Sequence, residues 1–215
     1  MIRTPIRIIG IAAVGLTLAA CSILPDPAPA NIVYRLSLSG ESVMPESAAT
    51  VIRVDRPAAT SVFNTRSIVV SPDGRRLSTA AQAQWPEGTP TMLQETLIDA
   101  FSRTPFIIGV LPQSGTRTDT RIHLTIKNFE AQFDQGEDAA PKAVVRYTAT
   151  LANATDRKLL DTFTTRHEVR ADAPRISAIV EAIEAANDAA MQEIVAWVVA
   201  RDREGMIEDA ATLPM

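Results

Sequence analysis

Between Asp119 and Val169 apolar and polar residues alternate through three successive stretches, and this pattern constrains the fold more than any other part of the chain. In the first stretch, Asp119–Phe133, Ile122, Leu124 and Ile126 share one parity, while Phe129, Ala131 and Phe133 share the other. One extra residue near Lys127-Asn128, a bulge, would bring both sets to the same side of a strand. Ala143, Val145, Tyr147, Ala149 and Leu151 form the second stretch. After the turn-forming Asn153-Ala154-Thr155-Asp156, Leu159, Phe163 and Val169 continue the third. A period of two with one wet face predicts an antiparallel meander. Gly136-Glu137-Asp138 reads as the solvated tip of its first hairpin.

A sheet with one greasy face needs a cover, and the sequence offers two helices. Thr89-Pro90 reads as a hydroxyl cap followed by proline at the first helical position. Leu93, Leu97 and Phe101 follow at helical spacing, and Pro105 ends the run near Arg103. The last element is longer. Asp172 reads as its cap, with Pro174 in the first turn. Ile176, Ile179, Val180, Ile183, Ala190, Met191, Ile194 and Val198 form its apolar stripe. Glu181, Glu184, Asp188 and Glu193 lie off that stripe. Trp197 and Val199 sit beside it and are the expected partner contact. Shorter strands are predicted at Ile32–Leu38, Thr50–Val54, Ser67–Val70, Leu77–Gln84 and Phe106–Leu111, with Trp85 as a core or hinge anchor. The expected class is therefore α/β: one domain, a mixed and largely antiparallel sheet with two main helices packed on it. It runs over residues 32–201, with a loose tail at 202–215.

The N-terminus sets the compartment. Arg3 and Arg7 precede Ile8–Ala20, an uncharged and mainly apolar run of 13 residues. A membrane-spanning helix needs roughly 17–25, so the run has instead the size of an export signal's hydrophobic region. The chain's one cysteine follows directly, in Leu18-Ala19-Ala20-Cys21. This order resembles the lipobox of bacterial lipoproteins. It implies cleavage between Ala20 and Cys21, with a signal peptide at 1–20, and a covalent S-diacylglycerol and N-acyl lipid on Cys21 in place of any cofactor. Ser22 rather than aspartate after the cysteine points to the periplasmic face of the outer membrane. The stretch that follows, with Pro25, Pro27 and Pro29, favours an extended polyproline conformation. Its nine residues to Ala30 would hold the domain roughly 30 Å from the lipid, which makes 21–31 a tether.

Composition and motifs remove most other functions. A formal charge of -4 lacks the basic excess that suits a phosphate backbone, so nucleic acid is not an expected partner. One cysteine permits neither an internal disulfide nor a multi-cysteine metal site, and two histidines offer little for a His-based centre. No metal site is expected. The sequence contains no G-x-S-x-G, H-E-x-x-H, Walker loop or G-x-G-x-x-G. His123 alternates with Ile122 and Leu124, so it should face solvent or a neighbouring strand. His167 shares parity with Phe163 and Val169 and should be partly buried. No catalytic residue is assigned, although a Ser-His-Asp set assembled in space would escape such a search.

Several short segments, in order, resemble the auxiliary lipoproteins of ABC-type transport systems, the family that serves paraquat-inducible and MCE lipid-transport systems. They are the lipobox ending at Cys21, the tether, Tyr34-Arg35-Leu36, Val54-Asp55-Arg56-Pro57, Arg66-Ser67-Ile68-Val69, Ala83-Gln84-Trp85 and Ile194-Val195-Ala196-Trp197. Arg35 departs from the threonine common in relatives. The resemblance implies a non-enzymatic, outer-membrane-anchored component of a trans-envelope phospholipid transport system, with an MCE-domain periplasmic protein as partner. ATP hydrolysis would then belong to another subunit. Homo-oligomerisation stays open. Two other readings share the same anchor: an assembly factor for lipopolysaccharide or outer-membrane proteins, and a periplasmic hydrolase.

Overall fold

The computed structural model describes residues 30–207. Cys21, its signal peptide, the proline tether before Ala30 and residues 208–215 lie outside the described residues.

The meander forms as the alternation requires. Strands β7 (Thr120–Gln132), β8 (Lys142–Asn153) and β9 (Leu159–Arg170) pair antiparallel along nearly their whole lengths. Register shifts between Ile126 and Asn128, which leaves Lys127 as the extra residue. Phe129 and Ala131 thereby join Ile122, Leu124 and Ile126 on the buried face, opposite Val145, Ala143, Leu151, Ala149 and Tyr147. The intervening Arg121, His123, Thr148 and Thr150 are half-buried on the other face.

The free edge of β7 is shared by three short strands, all parallel to it. In order along β7 they are β2 (Thr50–Val54), β3 (Ala58–Ala59) and β4 (Ser67–Ser71). The sheet then extends in two branches. Strand β6 (Ile107–Val110) adds parallel to β2, while β5 (Ser78–Gln84) adds antiparallel to β4 and takes β1 (Ile32–Val33) parallel on its far side. The sheet is therefore mixed, with the long ladders antiparallel and the short ones largely parallel.

Helix α1 (Thr89–Phe101) covers β2 and β6, and α2 (Ile176–Arg203) covers the meander. The stripe read from the sequence is the buried side of α2: Ile179, Val180, Ile183, Ala190, Met191, Ile194 and Val198 are all within the core. Two polar pairings fix the helices on the sheet. Buried Gln94 donates from Nε2 to the Val54 carbonyl at 2.8 Å, and the Tyr147 hydroxyl donates to Asn187 Oδ1 at 2.7 Å. A buried phenol loses solvation when it ionises, so the Tyr147 pKa lies well above 10.

Both expected helix caps are displaced. Thr89 is already helical, with Gly88 at the N-cap, and its hydroxyl donates to the Thr65 carbonyl at 3.0 Å. The long helix begins after Arg175 rather than Asp172, because Asp172, Ala173 and Pro174 are spent on the turn out of β9. At the other end, Asp202 and Arg203 are its last residues. The Thr50 hydroxyl donates to Asp202 Oδ1 at 2.6 Å, and Ile207 is buried, so the chain is still packed where a loose tail was expected.

The segment Ile32–Leu38 is the clearest departure from expectation. Only Ile32 and Val33 pair as a strand, and both are exposed. After the Tyr34 amide donates to the Gln84 carbonyl, the chain leaves the sheet as a strap laid over the helices. Tyr34, Leu36 and Leu38 then pack against the core from outside. Alternation reports one-sided burial of extended chain, and a strap meets that condition as well as a strand does.

Gly109 in β6 is required by close packing. A Cβ there would lie 3.0 Å from Phe101 Cδ2 and 3.3 Å from the Ile98 Cα, and helix backbone cannot yield as a side chain can. Gly109→Ala should destabilise the domain by about 1–3 kcal/mol through overpacking. The expected reading is a lower urea midpoint with an unchanged slope.

Candidate functional site

The two histidines lie apart, on different strands. His123 is half-buried on the uncovered sheet face, and burial holds its pKa below the ordinary imidazole value. Asp55 opposes that shift and Arg121 adds to it. The surrounding chemistry is structural: Asp55 accepts from Arg53 Nε at 3.0 Å and is ion-paired with Arg121, whose Nε lies 2.7 Å from Oδ2. His167 places Nε2 3.1 Å from Glu193 Oε2, and the same carboxylate oxygen accepts the Thr165 hydroxyl. The carboxylate therefore stands between hydroxyl and imidazole. The hydroxyl and the imidazole therefore lack the nucleophile–histidine contact of a Ser-His-Asp set. The hydrogen bond from Thr165, with the nearby His167 adding to it, holds Glu193 below the usual carboxylate range. Among the described residues, no group of three or more His, Cys, Asp or Glu could hold a metal ion.

The residues expected to meet a partner separate. Trp197 is only 8% exposed, contrary to the expectation of an exposed contact. Its ring stacks on Phe163 of β9 at 5.4 Å between centroids, and its Nε1 donates to Asp161 Oδ2 at 3.0 Å. That bond, followed by one from the Thr162 amide, holds the Asp161 carboxyl below its usual range. Arg201 Nε completes the cluster, 3.0 Å from the same oxygen. Trp197 thus fastens α2 to the edge strand. Val199 instead lines a cleft.

That cleft, of about 320 Å³, lies between the C-terminal half of α2 and the end of α1. Leu38, Phe106, Met191, Val195 and Val199 supply an apolar wall. The strap closes one side. Ser39 bonds Asp188 through both its amide and its hydroxyl, and Arg103 donates from Nε to the Ser39 carbonyl at 2.7 Å. Burial raises the Glu184 carboxyl above its usual range, against the opposing bonds from Ser37. A second, more open groove of about 630 Å³ runs between α1 and β6, reaching Ser42 of the strap and the short 3-10 turn Pro112–Ser114. Sequence reasoning missed both. Each is assembled from three separate segments, the strap among them far from the other two, and no local pattern announces such a meeting.

Among the described residues no helix is long and apolar enough to cross a membrane. The structure defines a two-layer α/β domain whose open features are grooves at helix edges. The sequence model for the ABC-type transport auxiliary lipoprotein component matches residues 34–195, well over half of the chain, and the chain belongs to this family. The fold is shared with protein XCC0632 from Xanthomonas campestris, assigned to DUF330, at 20% identity and a TM-score of 0.70, covering 80% of this chain and 97% of that one. A crystal structure described as an uncharacterized protein aligns at 14% identity and a TM-score of 0.63, covering 79% and 99%. Lipoprotein GNA1162 from Neisseria meningitidis aligns more loosely, at 14% identity and a TM-score of 0.35, covering 72% and 99%. No curated protein matches the chain.

Proposed function

We propose that this chain is held at the periplasmic face of the outer membrane by acyl groups on Cys21, and that it is the non-enzymatic auxiliary component of an MCE/ABC-type phospholipid transport system. The observation that carries the reading is the family match over 34–195, with Leu18-Ala19-Ala20-Cys21 and a proline tether directly upstream. Several acyl chains on one cysteine exceed the roughly two lipid signals that stable anchoring requires. The tether would let the domain reach an MCE-domain protein arriving across the periplasm. The absence of a Walker loop from the sequence agrees with ATP being hydrolysed by another subunit. Residues 1–20 would be the signal peptide and 21–31 the anchored tether.

Replacing Cys21 by alanine tests the anchor. The folded domain lies beyond the tether, so Cys21→Ala should leave its melting temperature unchanged. It should also move the protein from the membrane pellet to the soluble periplasmic fraction. A variant that stays in the pellet after a carbonate wash would contradict a lipid anchor.

A further inference from the structure

Strand β9 is the outer strand of the meander, and among the described residues only β8 pairs with it. Its backbone on the far side is open. The Ala171 amide donates to the Pro141 carbonyl at 2.9 Å, in step with the ladder in which Arg170 faces Lys142 and Val169 faces Ala143. In an antiparallel pair, residues that exchange bonds alternate with residues that do not. Val169, His167, Thr165 and Phe163 therefore bond β8, while Arg170, Glu168, Arg166 and Thr164 turn their amides and carbonyls outward. Among the described residues no hydrogen bond reaches those outward groups, and all four residues are exposed.

This edge lacks the usual structural blocks. It has no proline, and between Asp161 and Arg170 its register with β8 is unbroken. What it carries is charge that alternates in sign, in Arg166, Glu168 and Arg170. Charge on an edge discourages indiscriminate pairing. It also selects an edge of complementary order, because like charges directly opposite each other are unfavourable. The chain's own edge has that order. An antiparallel twofold pairing centred on His167 sets Arg166 opposite Glu168 of the second copy, and Thr164 opposite its Arg170. All of these residues have outward peptide groups. Centring on Arg166 or on Glu168 instead would set like charges face to face, and centring on Thr165 would leave the charges facing threonine.

The helical layer fits the same pairing. Helix α2 lies over β8 and β9. With strands about 4.8 Å apart, the two copies of α2 would run about 10 Å from each other, the ordinary spacing of packed helices. The flank of α2 above β9 is marked by Glu193 and Trp197, which bond Thr165 and Asp161 of that strand. Ala189, one turn before Glu193, and Ala200, two turns after it, keep that flank small. Glu193 itself is turned down onto its own β9, accepting Thr165 and facing His167 at 3.1 Å.

We propose that β9 is an interface at which two copies of this chain join edge to edge, antiparallel about a twofold axis at His167, into one continuous sheet. Arg166 and Glu168 of each copy pair with Glu168 and Arg166 of the other. Such a contact is isologous and closes on itself, so it gives dimers rather than filaments. It uses only the folded domain and holds whether or not Cys21 is acylated.

The test is sedimentation equilibrium of the full chain in density-matched detergent. The parent should be dimeric. Each charge reversal acts twice across a twofold axis, so Arg166→Glu and Glu168→Arg should each weaken the dimer by about tenfold or more. Combining Arg166→Glu with Glu168→Arg restores opposite charges in the same register and should recover dimerisation. Thr164→Pro removes an outward amide that has no bond within the described chain, and it should give monomers. Lys127→Glu, at the exposed bulge of β7 away from the edge, should change nothing. Thermal scans establish that each variant is folded. A monomeric parent, a dimer indifferent to Thr164→Pro, or a double variant no better than either single one would overturn the proposal. A larger assembly that persists in Thr164→Pro would place the contact between copies on another surface, and that outcome overturns it too.

Discussion

Ile183→Asp should leave no folded population at 37 °C. Ile183 is fully buried in the middle of α2, within the cluster that joins that helix to the meander. Truncating such a side chain alone costs about 2–5 kcal/mol. Adding a carboxylate with no partner brings a desolvation penalty of several kcal/mol more, or forces the group to remain protonated. Together these approach the whole stability of an ordinary domain, about 5–15 kcal/mol. The measurement is far-UV circular dichroism with a thermal scan, set beside Glu181→Asp at the exposed neighbouring position. That control should fall within about 0.5 kcal/mol of the parent. An unaltered melt for Ile183→Asp would mean that the stripe does not face the sheet.

Trp85→Ala should cost about 3–5 kcal/mol, whereas Trp85→Phe should cost under about 1.5. Trp85 is fully buried where β5 hands over to α1, with its ring 5.8 Å from that of Phe129. Its amide donates to the Arg66 carbonyl at 2.7 Å, and Arg66 Nε donates in return to the Trp85 carbonyl at 3.3 Å. Alanine would keep those backbone bonds but leave a cavity between two layers. Phenylalanine keeps most of the volume and removes an indole N–H that has no hydrogen-bond partner among the described residues. Losing an orphaned buried donor offsets part of the lost packing. Urea unfolding of the three proteins should give the order parent, Trp85→Phe, Trp85→Ala. Equal losses for both variants would show that the indole nitrogen is needed after all.

The parts of the fold that the sequence reveals are those set by local period. The bulge at Lys127 follows from a change of parity within one strand, and the covering face of α2 follows from 3.6-residue spacing. The parallel pairing of β2, β3 and β4 along β7 is different. Those strands are two to five residues long, and which neighbour each takes depends on chain closure over many residues, which no window of sequence contains. Both helix caps were misplaced for a related reason. Thr89 and Asp172 have the right chemistry, but tertiary demands set the caps one residue earlier, at Gly88, and three residues later, at Arg175. Trp197 lay off the stripe by spacing, and only the reach of β9, with Phe163 and Asp161, buries it.

The candidate sites divide in the same way. The lipidation proposed at Cys21 is readable from sequence because such a signal is recognised by other proteins as linear chain. Of the groove beside β6, only the apolar run Phe106–Leu111 is legible in the sequence. Its other walls come from α1 and the strap, which only the folded chain brings beside that run.

The role proposed for the chain is that of the outer-membrane partner of a transporter. The direct measurement is crosslinking in intact cells, followed by purification through this chain and mass spectrometry of what is attached. An MCE-domain protein should dominate, accompanied by the permease and ATPase of the same system, and the Cys21→Ala variant should lose that complex while remaining folded. Recovery of a β-barrel assembly or lipopolysaccharide-export machine in their place would contradict the account.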